Sequence, residues 1–249
     1  MRLLPTLLVL TLLLPASAWA GPAAVEPLYA RYDSLLRRHV HGLGVDYEAW
    51  HDDAADRKAL DEVIEGLADL DPAPWAHDES VAYWINLYNA ATLRLVLEHY
   101  PLDSIKDIGS LFSAGPWSRK VVRVAGRDLS LDEIEKKILL PLARDARVHF
   151  AVNCASVGCP PLRDRAWRGQ ALDEQLDRAT RFALHRPRWL RIDGDTVFLT
   201  KIFDWYEKDF ERDAGSVRAF LARYRDDLPP GDYSIEIMDY DWDLNAAGP

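Results

Sequence analysis

The stretch "DESVAYWINLYNAATLRLVLEHY" (Asp78–Tyr100) decides the fold of this chain. Asp78 is a plausible N-cap and Pro101 stops the helix, so the stretch predicts one long helix between them. Apolar residues occupy nearly every side of that helix, which is typical of a helix buried all round rather than one with a solvent face. We therefore expect the rest of the domain to pack around it.

Two carboxamides, Asn86 and Asn89, lie three residues apart on this otherwise apolar helix. A buried carboxamide without a partner costs about 1–3 kcal/mol, so both side chains need hydrogen bonds. One interpretation is structural, in which they tie the helix to a neighbouring backbone. The other is functional, in which Asn86 assists at an oxyanion and Asn89 contacts a ligand.

The remaining pattern is helix-rich but contains short strands. Helical spacing recurs in Pro27–Val40, around 55–70 and in 171–185, and Ser130 with Glu133 matches a capping box. "WLRIDGDTVFLT" predicts a hairpin with Asp193-Gly194 near its turn, and "RVHFAVNC" predicts a buried strand. The order is not a regular βαβ alternation, so we predict a helix-rich α+β single domain with a small, mostly antiparallel sheet.

Residues 1–20 have the features of a signal peptide: Arg2, an apolar run, and Ala18-Trp19-Ala20 as a small-x-small cleavage site. We expect cleavage after Ala20, a single globular domain over residues 21–249, and a periplasmic or secreted protein without stable membrane insertion. The chain carries 30 basic and 40 acidic residues, a net charge of −10, which argues against nucleic acid as a partner.

The two cysteines of the chain, Cys154 and Cys159, follow His149 in "HFAVNCASVGCPPL". In an exported protein they indicate a disulfide, although so short a loop stabilises the fold only modestly. The other interpretation is a catalytic thiol with His149 as its base. In a regular strand, His149 and Cys154 would point to opposite faces, so a dyad requires the chain to turn before Cys154.

An acid could complete such a site from "KIFDWYEKDF", which contains Asp204 and Asp209. Their spacing does not place them on one helical face, so one acid could orient His149 while the other is solvated. We take Asp204 as the orienting acid. No pair of histidines has the spacing of metal ligands, and we predict neither a metal site nor a cofactor.

Several stretches together resemble the bacterial family catalogued as domain of unknown function 547. They run in the family's order over about residues 45–210 and include "AYWINLYNA" (82–90), "DARVHFAVNCASVGCPPL" (145–162) and "KIFDWYEKDF" (201–210). The resemblance implies a fold-sized unit and candidate residues, but no reaction. It also implies a papain- or transglutaminase-like fold as one option, although here the histidine precedes both cysteines.

Two functions follow from these residues. The first is a thiol-dependent acyl-transfer or amide-hydrolysing enzyme, in which Cys154 is the nucleophile, His149 the base and Asp204 the orienting acid. Asn86 or Asn153 assists at the oxyanion. The second is a non-catalytic periplasmic binding domain with a Cys154–Cys159 disulfide and a small-molecule, peptide or glycan ligand. A thiol–disulfide exchanger ranks last, because the spacing is not C-x-x-C. The residues expected to line a binding pocket are Asn89, Asn153, Cys159, Trp84, Tyr88 and Trp205.

Overall fold

A computed structural model describes residues 22–109 and 115–248, and the predicted signal peptide lies outside the described residues. The helices are α1 (Glu26–His39), α2 (Tyr47–Asp52), α3 (Ala54–Ala68), α4 (His77–Leu97), α5 (Leu140–Ala143), α6 (Leu172–Leu184), α7 (Ile202–Trp205), α8 (Glu207–Ala214) and α9 (Val217–Ala222). The strands are β1 (Val40–His41), β2 (Gly44–Val45), β3 (Lys120–Val124), β4 (Arg127–Ser130), β5 (Leu190–Asp193), β6 (Thr196–Leu199) and β7 (Ser234–Ile237). A π-helix over Glu133–Leu139 leads into α5, and short 3₁₀ helices lie between other elements of the described residues.

These elements form a helix-rich α+β fold with small sheets, as predicted. The pairs β1–β2, β3–β4 and β5–β6 are antiparallel, and β7 adds to β6 in parallel. The β5–β6 hairpin turns at Gly194-Asp195, directly after Asp193, and Gly194 adopts a φ of 56° that suits glycine. The capping box is also present, with Glu133 N–H donating to Ser130 Oγ and Ser130 N–H donating to the Glu133 carboxylate.

Helix α4 is the central helix, and 17 of its 21 residues are buried. It begins at His77 with Ala76 as N-cap residue, so Asp78 lies in the first turn and not at the cap. Helices α1 and α3 pack beside it with Leu35, Leu60 and Val63 fully buried in the same hydrophobic cluster. Its all-round apolar surface therefore faces protein on every side, as the sequence indicates.

A second hydrophobic cluster is built from α6, the β5–β6 hairpin and helices α7 to α9. The segment between the clusters, 145–160, contributes to both: Val148 belongs to the first and Phe150 to the second. Where the sequence predicts a strand, the structure has a 3₁₀ helix over Ala146–Phe150, and the Asp145 carboxylate accepts a hydrogen bond from Arg147 N–H at its start. An apolar run this short satisfies either conformation, because its periodicity does not separate strand from helix.

Among the described residues, none of the helices combines the length and the apolar character needed to span a membrane.

Candidate functional site

The loop that carries the cysteines is fixed by two carboxamides. Asn153 Oδ1 accepts the Ala155 N–H at 2.9 Å, and its Nδ2 donates to Pro160 O at 2.8 Å. Ala155 has a φ of 63°, which is rare for a residue with a side chain and reverses the chain immediately after Cys154. The chain therefore turns here, and Cys154 and Cys159 form a disulfide with Cα atoms 6.2 Å apart.

Asn86 and Asn89 hold this region to the central helix through paired hydrogen bonds. Asn86 exchanges two bonds with the backbone of Trp167, at 2.9 and 2.8 Å. Asn89 donates to Ala151 O at 2.9 Å and accepts Asn153 N–H at 2.8 Å. Both carboxamides are at most 2% exposed. Each thus has its donor and acceptor occupied by backbone, which is the structural interpretation of the two residues.

His149 is held by Asp209 and not by Asp204. His149 Nε2 lies 2.9 Å from Asp209 Oδ2, and its ring stacks on Tyr206 with centroids 3.9 Å apart. Asp204 is exposed and lies 3.5 Å from Lys201. The difference arises because α7 ends at Trp205 and α8 begins at Glu207, so a break at Tyr206 turns Asp209 inward.

The hydrogen bond from His149, together with Arg212, holds the pKa of Asp209 below its usual value, although partial burial opposes this. On the other side of the ring, His149 Nδ1 is buried and has no hydrogen-bond partner among residues 22–109 and 115–248. A carboxylate on one imidazole nitrogen fixes the tautomer and leaves the other nitrogen free to act on a ligand.

A cavity of about 430 Å³ opens beside His149 at the junction of the two clusters. Its apolar wall consists mainly of aromatic side chains and the disulfide. The lining residues are Tyr88, Trp117, Asp132, Glu135, Lys136, His149, Val152, Cys154, Cys159, Pro160, Ile202, Trp205, Tyr206, Tyr240 and Trp242. The cavity therefore has the form of a small-molecule site, largely apolar with a few polar groups.

The C-terminal segment forms one wall of this cavity. Val157 N–H and Gly158 N–H donate to Asp243 O and Asp241 O at 2.8 and 2.9 Å. A Cβ atom at Gly158 would lie 2.9 Å from Asp241 O and from the Tyr240 ring, so only glycine permits this approach. The approach brings Tyr240 Oη within 3.3 Å of Cys154 Sγ and 3.2 Å of Cys159 Sγ.

Glu135 contributes a buried carboxylate to the cavity lining. It is 6% exposed, and the Tyr206 hydroxyl donates to its Oε1 at 2.5 Å. Burial and the nearby Glu135 raise the pKa of Tyr206 well above its usual range, so the phenol stays a donor. Glu135 lies on the π-helix, a conformation often found at functional sites.

The cavity thus collects five of the ten predicted site residues: Cys154, His149, Cys159, Tyr88 and Trp205. The other five lie outside its lining. Asn86, Asn89 and Asn153 bond to backbone behind it, Asp204 is on the surface, and Trp84 is buried against Tyr83 with ring centroids 5.1 Å apart.

Glu135, Tyr240 and Trp242 are site residues that sequence reasoning missed. For Glu135 a signal exists: it lies four residues from both Leu131 and Leu139, on the buried stripe of its helix. For the C-terminal residues no local signal exists. In the part of the chain that the structure describes, no cluster of three or more His, Cys, Asp or Glu side chains suits a metal ion.

The fold and cavity define a helix-rich α+β domain with an aromatic, disulfide-walled site. Residues 72–182 match the model of the family described as "Protein of unknown function, DUF547". No curated protein and no solved structure matches the chain. The matched segment includes α4, the π-helix and the cysteine loop, whereas α7, α8 and the C-terminal wall of the cavity follow it in the chain.

Proposed function

We propose that the chain is a ligand-binding domain, and that its ligand occupies the cavity between the two hydrophobic clusters. The observation that carries the proposal is the cavity itself, in which four partly exposed rings surround a buried polar floor: Trp117, Trp205, Tyr240 and Trp242. Aromatic rings offer large rigid contact area at low entropic cost, which suits a small molecule or the end of a peptide or glycan.

The disulfide favours binding over thiol catalysis. With Cys154 bonded to Cys159, neither sulfur is a thiolate, and the pair acts as a rigid part of the wall. A disulfide is also compatible with the periplasmic or secreted location that residues 1–20 suggest.

Blocking the cavity tests this function. Val152 lines the cavity and is only partly buried. Val152→Phe should therefore fill the space without disturbing the carboxamide clamps, the hydrogen bonds that Asn86, Asn89 and Asn153 make to backbone groups. Purified protein is titrated with a panel of amino acids, amines, N-acetylated sugars and dipeptides, and binding is followed by tryptophan fluorescence. We expect at least one compound to bind the wild type in a 1:1 ratio and Val152→Phe to abolish that binding.

A matched control is Ile235→Phe, which changes a partly buried apolar residue of β7 that is not part of the cavity lining. It should leave binding intact. Binding that persists in Val152→Phe, or a panel in which no compound binds, would contradict the proposal.

A second candidate function is enzymatic, and the His149–Asp209 pair favours it. An imidazole that a carboxylate orients, that lines a cavity and whose Nδ1 has no partner in the described part of the chain is suited to general acid–base catalysis. The thiol-dependent acyl-transfer or amide-hydrolysis variant additionally requires that the disulfide be reduced, so that Cys154 can attack.

Two measurements separate the enzyme from the binding domain. Turnover of a bound compound that stops in His149→Gln would establish catalysis. For the thiol variant, Cys154 should be alkylated by iodoacetamide in protein isolated without reductant. If both sulfurs resist alkylation until the protein is reduced, the thiol mechanism fails while ligand binding stands.

A further inference from the structure

The charged groups of the cavity and its aromatic rings together indicate a class of ligand. Glu135, Asp132 and Lys136 are its carboxylate and ammonium groups, and Lys136 Nζ lies 2.7 Å from Asp132 Oδ1. That pair cancels, and the Lys136 side chain is 57% exposed at the edge of the site. Glu135 remains, and among the described residues it makes no ion pair.

A buried carboxylate without a cation needs an explanation. Moving an ionised carboxylate out of water is unfavourable unless a positive charge or several donors replace the water. The phenols of Tyr206 and Tyr88 are both hydrogen-bonded to the carboxylate, but both are neutral and supply no positive charge. Glu135 therefore provides a charge that the described part of the fold leaves without a counterpart, inside a cavity large enough for a ligand.

The aromatic rings favour the same charge. The faces of Trp and Tyr rings attract cations, and cages of such rings recognise alkylammonium groups. Trp242 already makes this contact elsewhere, because Lys106 Nζ lies 4.8 Å from its ring centroid, outside the cavity lining. Trp205, Tyr240 and Trp242 contact one another with centroids 4.6–5.8 Å apart, so they form one continuous aromatic wall.

We propose that the ligand enters this cavity with an alkylammonium group, a primary amine or a quaternary ammonium. The Glu135 carboxylate pairs with that cation, and the rings of Trp205, Tyr240 and Trp242 surround it. This inference rests on the proposed binding function and names its ligand class. It involves no covalent step.

Cations and their neutral isosteres test the inference. Choline is compared with 3,3-dimethylbutan-1-ol, and n-butylamine with butan-1-ol, by fluorescence titration at matched ionic strength. We expect at least one cation to bind at least about tenfold more tightly than its neutral partner. Equal binding within both pairs, or no binding of either cation, overturns the inference. Neither result touches the binding function, which the wider panel and Val152→Phe test separately.

Variants assign the preference to Glu135. Glu135→Gln keeps the shape and the acceptor for Tyr206, and it should remove most of the preference for the cation. Glu207→Gln is the matched control, because Glu207 is exposed on α8 and outside the cavity lining. If Glu135→Gln does not fold, Trp205→Leu replaces it, since Trp205 is 43% exposed. If the folded variant, Glu135→Gln or its replacement Trp205→Leu, still prefers the cation over its neutral isostere, the cavity does not recognise the cation and the inference is overturned.

Discussion

Two sets of buried polar groups lie around the cysteine loop, and they differ in how far their hydrogen bonds and charges are matched within the protein. Behind the loop, Asn86, Asn89 and Asn153 bond to backbone groups through both ends of their carboxamides. On the cavity lining, His149 has a buried nitrogen and Glu135 a carboxylate that find no hydrogen-bond partner and no cation, respectively, among the described residues. Buried polar groups whose hydrogen bonds are all made within the protein stabilise the fold. Buried groups with an unused hydrogen-bonding atom or an unpaired charge are available to a ligand.

The largest expected effect on stability is at the clamp. Asn89→Leu leaves the Ala151 carbonyl and the Asn153 N–H buried without partners, and each such group costs about 1–3 kcal/mol. We expect a loss of about 3 kcal/mol in the free energy of unfolding, measured by urea denaturation with circular dichroism. A loss below about 1 kcal/mol would mean that water replaces the carboxamide and that the clamp is not structural.

Removing the disulfide should have a smaller effect. The bond closes a loop with a sequence separation of 5, and chain entropy then gives about 2 kcal/mol. Cys154→Ser with Cys159→Ser should lower the unfolding free energy by about that amount, and a dithiol reductant should lower the wild type equally. If the double variant fails to fold, the disulfide in the cavity wall contributes as much to stability as the Asn89 carboxamide. The contrast between the carboxamides and the polar groups of the cavity would then disappear.

A substitution at Gly158, where the C-terminal segment approaches closely, should have the third-largest effect on the free energy of unfolding. Gly158→Ala forces its Cβ against Asp241 O and the Tyr240 ring, and an overpacked contact of this kind costs about 1–2 kcal/mol. Gly115→Ala is the control, since no atom lies within 4 Å of its Cβ position. Thermal unfolding measures both. The C-terminal wall should shift as well, so the fluorescence of Trp242 should change in Gly158→Ala alone.

The fold was predictable where the signals are local. The apolar helix α4, the Ser130–Glu133 capping box and the β5–β6 hairpin turn each depend on residues within a few positions of one another. The strand predicted before Cys154 failed at a run where apolar residues follow one another without a clear period. Whether this run forms a strand or a helix depends on how its side chains pack into the two hydrophobic clusters, and that packing is set by the tertiary structure.

The site was predictable only in part for the same reason. Cys154 and His149 reach one cavity because both lie on one short segment. Asp209 replaces Asp204 because two short helices meet at Tyr206, and a single helical period does not describe them. Tyr240 and Trp242 arrive through backbone bonds to the cysteine loop from about 80 residues away, a pairing that no local pattern encodes.

The smallest expected effect is at Asp209, and its signature is a dependence on pH. Because the bonds from His149 and Arg212 lower the pKa of Asp209 in the folded protein, its ionisation stabilises the fold at pH values above the pKa of an unfolded Asp. That contribution is lost as the pH falls through the lower, folded value. Asp209→Asn should therefore melt below the wild type at pH 7, and the two melting temperatures should converge toward pH 3 and below.

Asp204→Asn serves as the control for this profile, since Asp204 is exposed and its partner Lys201 is partly exposed as well. Exposed pairs of this kind contribute little, so its melting temperature should follow the wild type across the whole range. A difference between Asp209→Asn and the wild type that stays constant with pH would show that packing, and not the His149–Asp209 charge interaction, sets the position of the imidazole. The polar groups of the cavity would then stabilise the fold in the same way as the carboxamide clamps behind it.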